Sequence, residues 1–210
     1  MHSRPRLLRI GLLRRLSGGI RDGSVTAATQ RIEEALSRAA QGDRSAFEVI
    51  VRVHQSMVFG MAYYFLHDAS RAEDIGQEVF LRLYQNLRAI QSPVHLMLWL
   101  RKVTSRCCID AVRKDPPERE MSMEESPEPA QAAGAADPLL SRRLQRLVAS
   151  LPENARMVII LRYQEELELA EIAQILEIPI NTVKSRLQRA LETLREKLAA
   201  VLEMNSDATS

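Results

Sequence analysis

The sequence predicts an all-α protein with two small helical domains joined by a flexible acidic linker. Hydrophobic residues make up 46% of the chain but aromatic residues only 4%. The apolar positions are chiefly Leu, Ile, Ala, Val and Met, with charged residues between them at helical spacing, which favours helices over strands. One stretch rich in Pro and acidic residues separates two such regions. A chain of 210 residues is long enough for two small domains.

The N-terminal residues 1–28 form a predicted basic, disordered extension. The whole chain has a formal net charge of +2, yet residues 1–25 contain six Arg against one Asp. The remainder is therefore slightly acidic, and only local clusters of Lys and Arg can argue for nucleic-acid binding. Arg9, Arg14 and Arg15 interrupt the apolar runs of the extension, which does not suit a signal peptide.

The cysteines and the hydropathy pattern predict a cytoplasmic protein without cofactors. Cys107 and Cys108 are adjacent in a predicted helix, where neighbouring side chains diverge and cannot easily form a disulfide. No CxxC motif or His/Cys cluster suggests zinc. No apolar run approaches the roughly eighteen residues that a membrane-spanning helix needs, so we expect no direct membrane insertion. Whether the two thiols respond to oxidants stays open.

Four helices are predicted in the first domain, residues 29–114. The first covers residues 30–40, and Gly42 and Asp43 end it and cap a second helix that continues to residue 65. Residues 67–70 form a break before a third helix over residues 71–90. Ser92 and Pro93 open a fourth helix, which ends near residue 114.

The predicted linker covers residues 115–138. It contains five Pro, seven Asp or Glu and a single Arg, together with an Ala/Gly tract. This composition cannot bury enough apolar surface to form a core. The linker therefore divides the chain into two domains.

The second domain, residues 139–201, has the outline of a helix-turn-helix, and residues 202–210 form a short polar tail. Helices are predicted over residues 139–150, 151–163 and 169–176. Residues 177–179 form a turn, and Asn181 is predicted to cap the final helix. Val183, Leu187, Ala190, Leu191 and Leu194 share one face of that helix, which predicts a buried stripe.

A second face of the final helix is suited to DNA. Lysine and arginine can donate to guanine, glutamine can pair with adenine, and helix N-terminal amides can hold a phosphate. The predicted DNA-binding residues are Asn181, Thr182, Lys184, Ser185, Arg186, Gln188 and Arg189. Such charges usually mark only a solvated helix face. The helix-turn-helix pattern around them is what favours the DNA-binding interpretation.

Three segments together resemble the extracytoplasmic-function (ECF) sigma factors, the two-domain initiation factors of bacterial RNA polymerase. They are residues 72–84 (AEDIGQEVFLRLY), residues 99–114, and residues 151–190 with the LPE and TVKSRLQRA motifs. The resemblance covers roughly residues 42–198. It implies that the chain has no catalytic site of its own and confers promoter specificity on a polymerase.

The resemblance assigns polymerase docking to the first of these segments. It implies that the clamp helices of the largest core subunit contact Asp74, Gln77, Glu78, Phe80 and Leu81. From spacing alone these polar residues would be an ordinary wet surface. Contact between the second domain and the flap of the second-largest subunit is also implied, as is an inhibitory anti-sigma partner, which in this family is typically membrane-anchored.

The second segment resembles the helix that opens and reads the minus-ten promoter element, while the helix-turn-helix would read the minus-thirty-five element. Its candidate DNA contacts are Arg101, Lys102, Arg106, Arg113 and Lys114. Trp99 is interpreted as an anchor of the bundle. The sequence departs from the family pattern at Arg106, where Asn is common, at Glu177, where Gly is usual, and at Glu168, where a capping Ser is common. Because of the departure at Arg106, the preferred base in the minus-ten pocket is open.

Two other functions are consistent with parts of the sequence. A helix-turn-helix regulator could bind operators alone, with residues 29–114 as a sensory or dimerisation domain, but the docking segment argues against it. A metal-carboxylate bundle would draw on helical acids and histidines, namely Glu48, His54, His67, Glu73, Asp74 and Glu78. The Glu-x-x-His pair that typifies such bundles does not occur there.

Overall fold

The computed structural model describes residues 22–114 and 138–207, and within these ranges the protein is all-α, as predicted. The helices are α1 (Asp22–Ala40), α2 (Arg44–Leu66), α3 (Ala69–Asn86), α4 (Pro93–Lys114), α5 (Pro138–Ala149), α6 (Glu153–Ile159), α7 (Leu169–Leu176) and α8 (Ile180–Asp207). A short 3-10 turn, Leu87–Ala89, follows α3, and a π turn, Ile160–Gln164, follows α6.

The first four helices surround an apolar core of their own. Its fully buried members include Ile50 and Val58 of α2, Val79 and Leu83 of α3, and Leu96 of α4. Trp99 is partly buried against this core, the position expected of an anchor. These contacts fix how α3 and α4, the two helices that carry predicted binding residues, are oriented.

Helix α1 is longer than predicted. It begins at Asp22, so residues 22–28 are helical although they were assigned to a disordered extension. Residues 24–29 contain neither Gly nor Pro, so nothing in the chain stops the helix from extending in that direction. The remainder of the predicted extension, residues 1–21, lies outside the described residues.

The predicted break between α1 and α2 is confirmed at Gly42 and Asp43. Gly42 adopts φ = 97°, a conformation that a residue with a Cβ rarely takes. The Asp43 carboxylate accepts hydrogen bonds from the backbone N–H groups of Ser45 at 2.9 Å and Ala46 at 3.2 Å. Hydrogen bonds from Ser45, Ala46 and Arg38, in that order of importance, lower the Asp43 pKa to about 2. Asp43 is therefore a charged N-cap at neutral pH.

Replacing Asp43 with alanine is expected to lower the Tm by about 3 °C at pH 7, because two N-terminal amides of α2 lose their acceptor. The carboxyl pKa is lower in the folded protein than its ordinary value of 3.8. The stabilisation that depends on its charge is thus complete above pH 3.8 and disappears as the pH falls through about 2. Thermal melts followed by circular dichroism should show the Tm difference between the wild type and Asp43→Ala narrowing as the pH is lowered over this range. Asp43→Asn, which keeps an acceptor but no charge, should have a Tm between those of the wild type and Asp43→Ala, and its difference from Asp43→Ala should not change over this pH range.

The second half differs from prediction at two helix ends. The helix predicted to continue to residue 163 ends as α6 at Ile159 and passes into the π turn. Helix α8 begins at Ile180, so Asn181 is not its cap. Instead the Pro179 carbonyl accepts from the N–H groups of Thr182 at 2.9 Å and Val183 at 3.2 Å. The predicted stripe of α8 is correct, since Val183 and Ala190 are buried and the three leucines are partly buried.

The two halves pack against each other through one shared apolar cluster. Met61 and Phe65 of α2 and Cys108 of α4 belong to the same cluster as Met157 of α6 and Ile172 of α7. Gly60 lies at this contact, since a Cβ there would lie 3.2 Å from the Gln164 side chain. The predicted linker, apart from Pro138, and the last three residues of the predicted tail lie outside the described residues.

Candidate nucleic-acid interface

Helices α7 and α8 and the turn between them form the helix-turn-helix. Ile172 and Ile175 of α7 and Val183 of α8 are buried where the helices meet. Glu177 ends α7 in the left-handed conformation, with φ = 54° and ψ = 43°, and the Ile178 N–H donates to the Ala173 carbonyl at 3.1 Å. A non-glycine residue in this conformation costs on the order of 1 kcal/mol. The turn thus forms with glutamate at the position where glycine is usual.

The first two turns of α8 present hydrogen-bond donors to solvent. Asn181, Lys184, Gln188 and Arg189 are exposed, while Thr182, Ser185 and Arg186 are half-buried. The Ser185 hydroxyl donates to the Thr182 carbonyl at 3.1 Å, and the Gln188 amide donates to the Glu192 carboxylate at 2.9 Å. All seven predicted residues therefore lie together at the N-terminal end of α8. The exposed ones are accessible at the end of the helix that a helix-turn-helix presents to a major groove.

The predicted minus-ten residues lie along α4 but in a different environment. Arg101 is only 4% exposed, and its Nε and Nη2 atoms donate to Glu165 Oε2 at 3.1 and 2.9 Å. Glu165 follows the π turn of the second half and is also buried. In this arrangement Arg101 is therefore enclosed between the halves, which differs from the surface position expected of a DNA contact.

Three further basic residues of α4 pair with acids of the second half. Lys102 Nζ donates to Glu177 Oε1 at 2.5 Å, and the Arg106 guanidinium donates to the other Glu177 oxygen. Arg113 lies 3.4 Å from Glu153 Oε1. The hydrogen bond from Lys102, with the nearby charge of Arg106, lowers the Glu177 pKa. Lys114, the fifth predicted residue, is exposed.

Sequence reasoning did not identify the acidic partners of α4. Glu177 was noticed only as a departure from the usual glycine, and Glu165 was not noticed. A signal was present in α4, where Arg101, Thr104, Ser105 and Cys108 follow one another at helical spacing and are all buried. A stripe of such small side chains beside an arginine indicates a face against which another element can pack closely.

The predicted docking residues lie on the solvent side of α3, with one exception. Asp74 and Gln77 are exposed, and Leu81 is 53% exposed. Glu78 is half-exposed and accepts a hydrogen bond from Arg82 Nε at 2.6 Å. Phe80 is partly buried against the core of the first four helices, so much of its ring is occupied by intramolecular packing.

The two cysteines are buried between helices. Burial raises the pKa of both thiols, and the effect is much larger for Cys108. The Arg82 guanidinium lies 3.3 Å from the Cys107 sulfur and partly opposes the shift. Neither thiol is thus predisposed to form a thiolate at neutral pH. Their positions favour the structural interpretation over the redox interpretation.

The histidines of the first half do not form a metal centre. Within residues 22–114 and 138–207, no three His, Cys, Asp or Glu side chains lie close enough to hold a metal ion. His54 is buried, and its Nδ1 atom is 2.8 Å from the Ile50 carbonyl oxygen of its own helix.

Within residues 22–114 and 138–207, none of the helices has the length and apolar character required to cross a membrane.

Comparison with known families matches both halves of the chain. Residues 50–116 match the family Sigma-70 region 2, and residues 141–194 match Sigma-70, region 4. The first match contains the predicted docking and minus-ten residues, and the second contains the helix-turn-helix. The two matched segments are separated where the acidic linker was predicted.

Individual relatives agree with these matches. The chain is 31% identical over 182 residues to the ECF RNA polymerase sigma factor SigW of Bacillus subtilis, a match that covers 80% of this chain and 96% of SigW. Two solved structures share the fold. CnrH in complex with the cytosolic domain of CnrY has a TM-score of 0.61 at 22% identity, covering 81% of this chain and 98% of CnrH. RpoE of Bartonella quintana in complex with the anti-sigma factor NepR has a TM-score of 0.59 at 21% identity. The match covers 73% of this chain and 96% of RpoE.

The order of the parts is the same in the sequence, in the fold and in the two family matches. A four-helix domain with an acidic helix α3 and a basic helix α4 precedes a helix-turn-helix, and both match sigma-70 regions over the lengths given above. Because the similarity to SigW extends over nearly the whole of that protein, the resemblance noted from three segments is confirmed. The chain belongs to the ECF sigma factors.

Proposed function

We propose that this sigma factor directs core RNA polymerase to promoters by reading two DNA elements with two different helices. The observation that carries the proposal is that α4 and the first half of α8, which hold the basic residues at issue, fall within the segments that match sigma-70 regions. Residues 29–114 would act as region 2 and residues 139–201 as region 4. The chemistry of RNA synthesis would belong to the polymerase, and the protein would act in the cytoplasm.

The minus-thirty-five element would be read by α8. Lys184, Gln188 and Arg189 are exposed on one face and carry the donors that recognise base edges in a major groove. Asn181 and Thr182 would bind a phosphate through their amides at the positive end of the helix. Arg186 would strengthen binding through the DNA backbone without adding sequence information.

The minus-ten element would be opened and read along α4. Strand separation costs stacking energy, which contacts between basic side chains and the displaced strand can offset. Lys102, Arg106, Arg113 and Lys114 lie along α4 at or near its surface. In the arrangement described, the first three of these pair with acids of region 4, so they reach DNA fully only when those pairs break.

Core polymerase would bind the exposed side of α3, where the polar residues Asp74, Gln77 and Glu78 lie with one exposed apolar side chain, Leu81. Region 4 would contact the flap of the second-largest subunit. We also propose an inhibitory protein partner, since a solved relative was captured with the anti-sigma factor NepR. Such a partner would hold the sigma factor away from the polymerase.

Transcription in vitro tests the proposed function directly. The purified protein, with core polymerase and sheared genomic DNA, should initiate RNA at discrete sites that core polymerase alone does not use. Arg189→Ala should reduce initiation at these sites by about tenfold, the loss expected for one good base contact. Arg88→Ala, which removes an exposed arginine from the 3-10 turn of region 2, serves as the matched control.

The outcome also separates the sigma factor from a regulator that acts alone. Tight, sequence-specific binding to the mapped promoters without core polymerase would favour a stand-alone helix-turn-helix regulator. Absence of discrete start sites with active core polymerase would contradict the proposed function.

A further inference from the structure

An apolar groove lies where the end of α2 meets α5, the π turn and α8. Its volume is about 510 Å³, and most of its lining is apolar, including Leu191 and Leu194 of α8. At its edge Leu144 of α5 is 54% exposed and Tyr163 of the π turn is 57% exposed. A concave apolar surface of this size, with large side chains left open to solvent, is typical of a binding site. We call it the region 4 groove.

One polar atom beside the region 4 groove has no partner. His67 of α2 contributes to the lining, and among the described residues its Nε2 atom is buried without a hydrogen bond. Buried polar atoms in proteins nearly always have a partner. A neutral imidazole offers one donor nitrogen and one acceptor nitrogen. The occupant of the groove should therefore combine large apolar side chains with at least one polar group.

The chain itself contains a segment of this composition. Residues 7–16 have the sequence LLRIGLLRRL, and they belong to the part of the chain, residues 1–21, that lies outside the described residues. Leu8, Leu12 and Leu16 are four positions apart, a spacing that places side chains on one face of a helix. The arginines between them supply hydrogen-bond donors. The proposed function leaves this segment without a role.

The beginning of α1 lies near the groove. Residues 41–43 join α1 to α2, and a connection this short makes the two helices an antiparallel pair. Ile32 of α1 accordingly shares a core with Val58 of α2. The helices have 19 and 23 residues, which corresponds to lengths of about 28 and 34 Å. Helix α1 therefore begins near the level at which α2 ends, where Tyr64 and His67 line the groove.

The chain between residues 7–16 and α1 is long enough to reach the groove. Residues 17–21 can span up to about 17 Å. They include Gly18 and Gly19, which favour a change of chain direction. A tethered segment is also present at a high effective concentration, on the order of millimolar for a short connection. It therefore has an advantage over an apolar segment of a second molecule.

We propose that residues 7–16 dock in the region 4 groove as an internal partner of region 4. The face that holds Leu8, Leu12 and Leu16 packs against the apolar side chains of α5 and α8, and a polar group of the segment pairs with His67. This inference goes beyond the proposed function and does not rest on it, because docking is independent of DNA reading. Any protein that binds region 4 at this groove must first displace the segment.

Photo-cross-linking of the full-length protein tests the contact directly. Benzoylphenylalanine replaces Tyr163 at the edge of the groove or, as the matched control, Tyr84, which is 47% exposed on α3. After irradiation, proteolysis and mass spectrometry identify the attached residues. We expect cross-links within one chain from position 163 to residues 7–16, and none to that segment from position 84.

Two paired variants identify what holds the segment in place. Leu12→Ser combined with Leu16→Ser should reduce the cross-link yield at least about threefold, because the apolar area that drives docking is lost. Arg6→Ser combined with Arg14→Ser is the matched control, because it introduces the same residues on the opposite side of the segment. Its yield should stay within about 1.5-fold of the wild type, since exposed charges contribute little to such a contact.

Absence of cross-links from position 163 to residues 7–16 would overturn the proposal. Cross-links that join only two different chains would also overturn it, because a second copy would then occupy the groove. Equal yields from the leucine and arginine variants would show that apolar docking does not hold the segment, which is equally decisive against it. Transcription with core polymerase is measured separately, so a failure of the proposed function leaves the cross-linking result unchanged.

Discussion

Replacing Leu81 with aspartate is expected to reduce transcription with core polymerase at least about tenfold while leaving the protein folded. Leu81 is 53% exposed on α3, so the substitution removes little intramolecular packing. It introduces a charge beside Asp74 and Glu78, at the apolar centre of the proposed docking surface. An unpaired charge in place of an apolar anchor at the centre of a protein interface costs about a factor of ten or more in affinity.

Binding of the fluorescently labelled sigma factor to core polymerase, followed by anisotropy, measures this effect without DNA. Val53→Asp is the control, because Val53 is 50% exposed on α2 and lies outside the docking segment. Equal binding by wild type and Leu81→Asp would remove α3 from the interface. Weakened binding by both variants would indicate a general effect of added acidic charge.

Helix boundaries and buried stripes were predictable because the signals that set them are local. Gly42 and Asp43 determine the break before α2, and the spacing of apolar residues in α8 fixed its buried face. Each depends on residues within a few positions along the chain. The predicted boundaries are accordingly correct to within a few residues, except at the beginning of α1 and in the π turn after α6.

Contacts between the two halves were not predictable by the same reasoning. Arg101 and Glu165 are 64 residues apart, and no periodic pattern relates them. A run of basic residues looks the same in sequence whether its side chains reach solvent or an acid of another helix. Phe80 shows the same difficulty, because a position next to docking residues does not reveal that its ring packs inward. Such facts follow from the tertiary arrangement of the helices.

One buried arginine of the second half joins three helices at their ends. Arg156 of α6 donates from Nη1 to the Phe65 carbonyl at 2.8 Å and from Nη2 to the Leu151 carbonyl at 3.1 Å. Nη2 also donates to the carbonyl of Ala149, the last residue of α5. The guanidinium carbon lies 5.1 Å from the centre of the Phe65 ring.

Arg156 lies where the ends of two helices leave carbonyl groups without an intrahelical partner. Carbonyl groups in the last turn of a helix lack an intrahelical partner, and Phe65 and Ala149 both lie in last turns. A cation at a helix C-terminus is also favoured by the helix dipole. Burial, together with the charge of Arg156, lowers the pKa of the neighbouring His67 to about 4. His67 is therefore neutral at pH 7 and does not repel the arginine.

Replacing Arg156 with alanine is expected to lower the free energy of unfolding by roughly 3 kcal/mol, since three carbonyl groups lose their donor at about 1 kcal/mol each. Arg156→Lys keeps the charge but cannot reach all three acceptors from one ammonium group, so an intermediate loss is expected. Urea denaturation followed by circular dichroism measures these values. Arg88→Ala, at an exposed arginine, should change the stability by less than about 0.5 kcal/mol. If Arg156→Ala were as stable as Arg88→Ala, the packing of region 4 on α2 would depend on the apolar cluster alone.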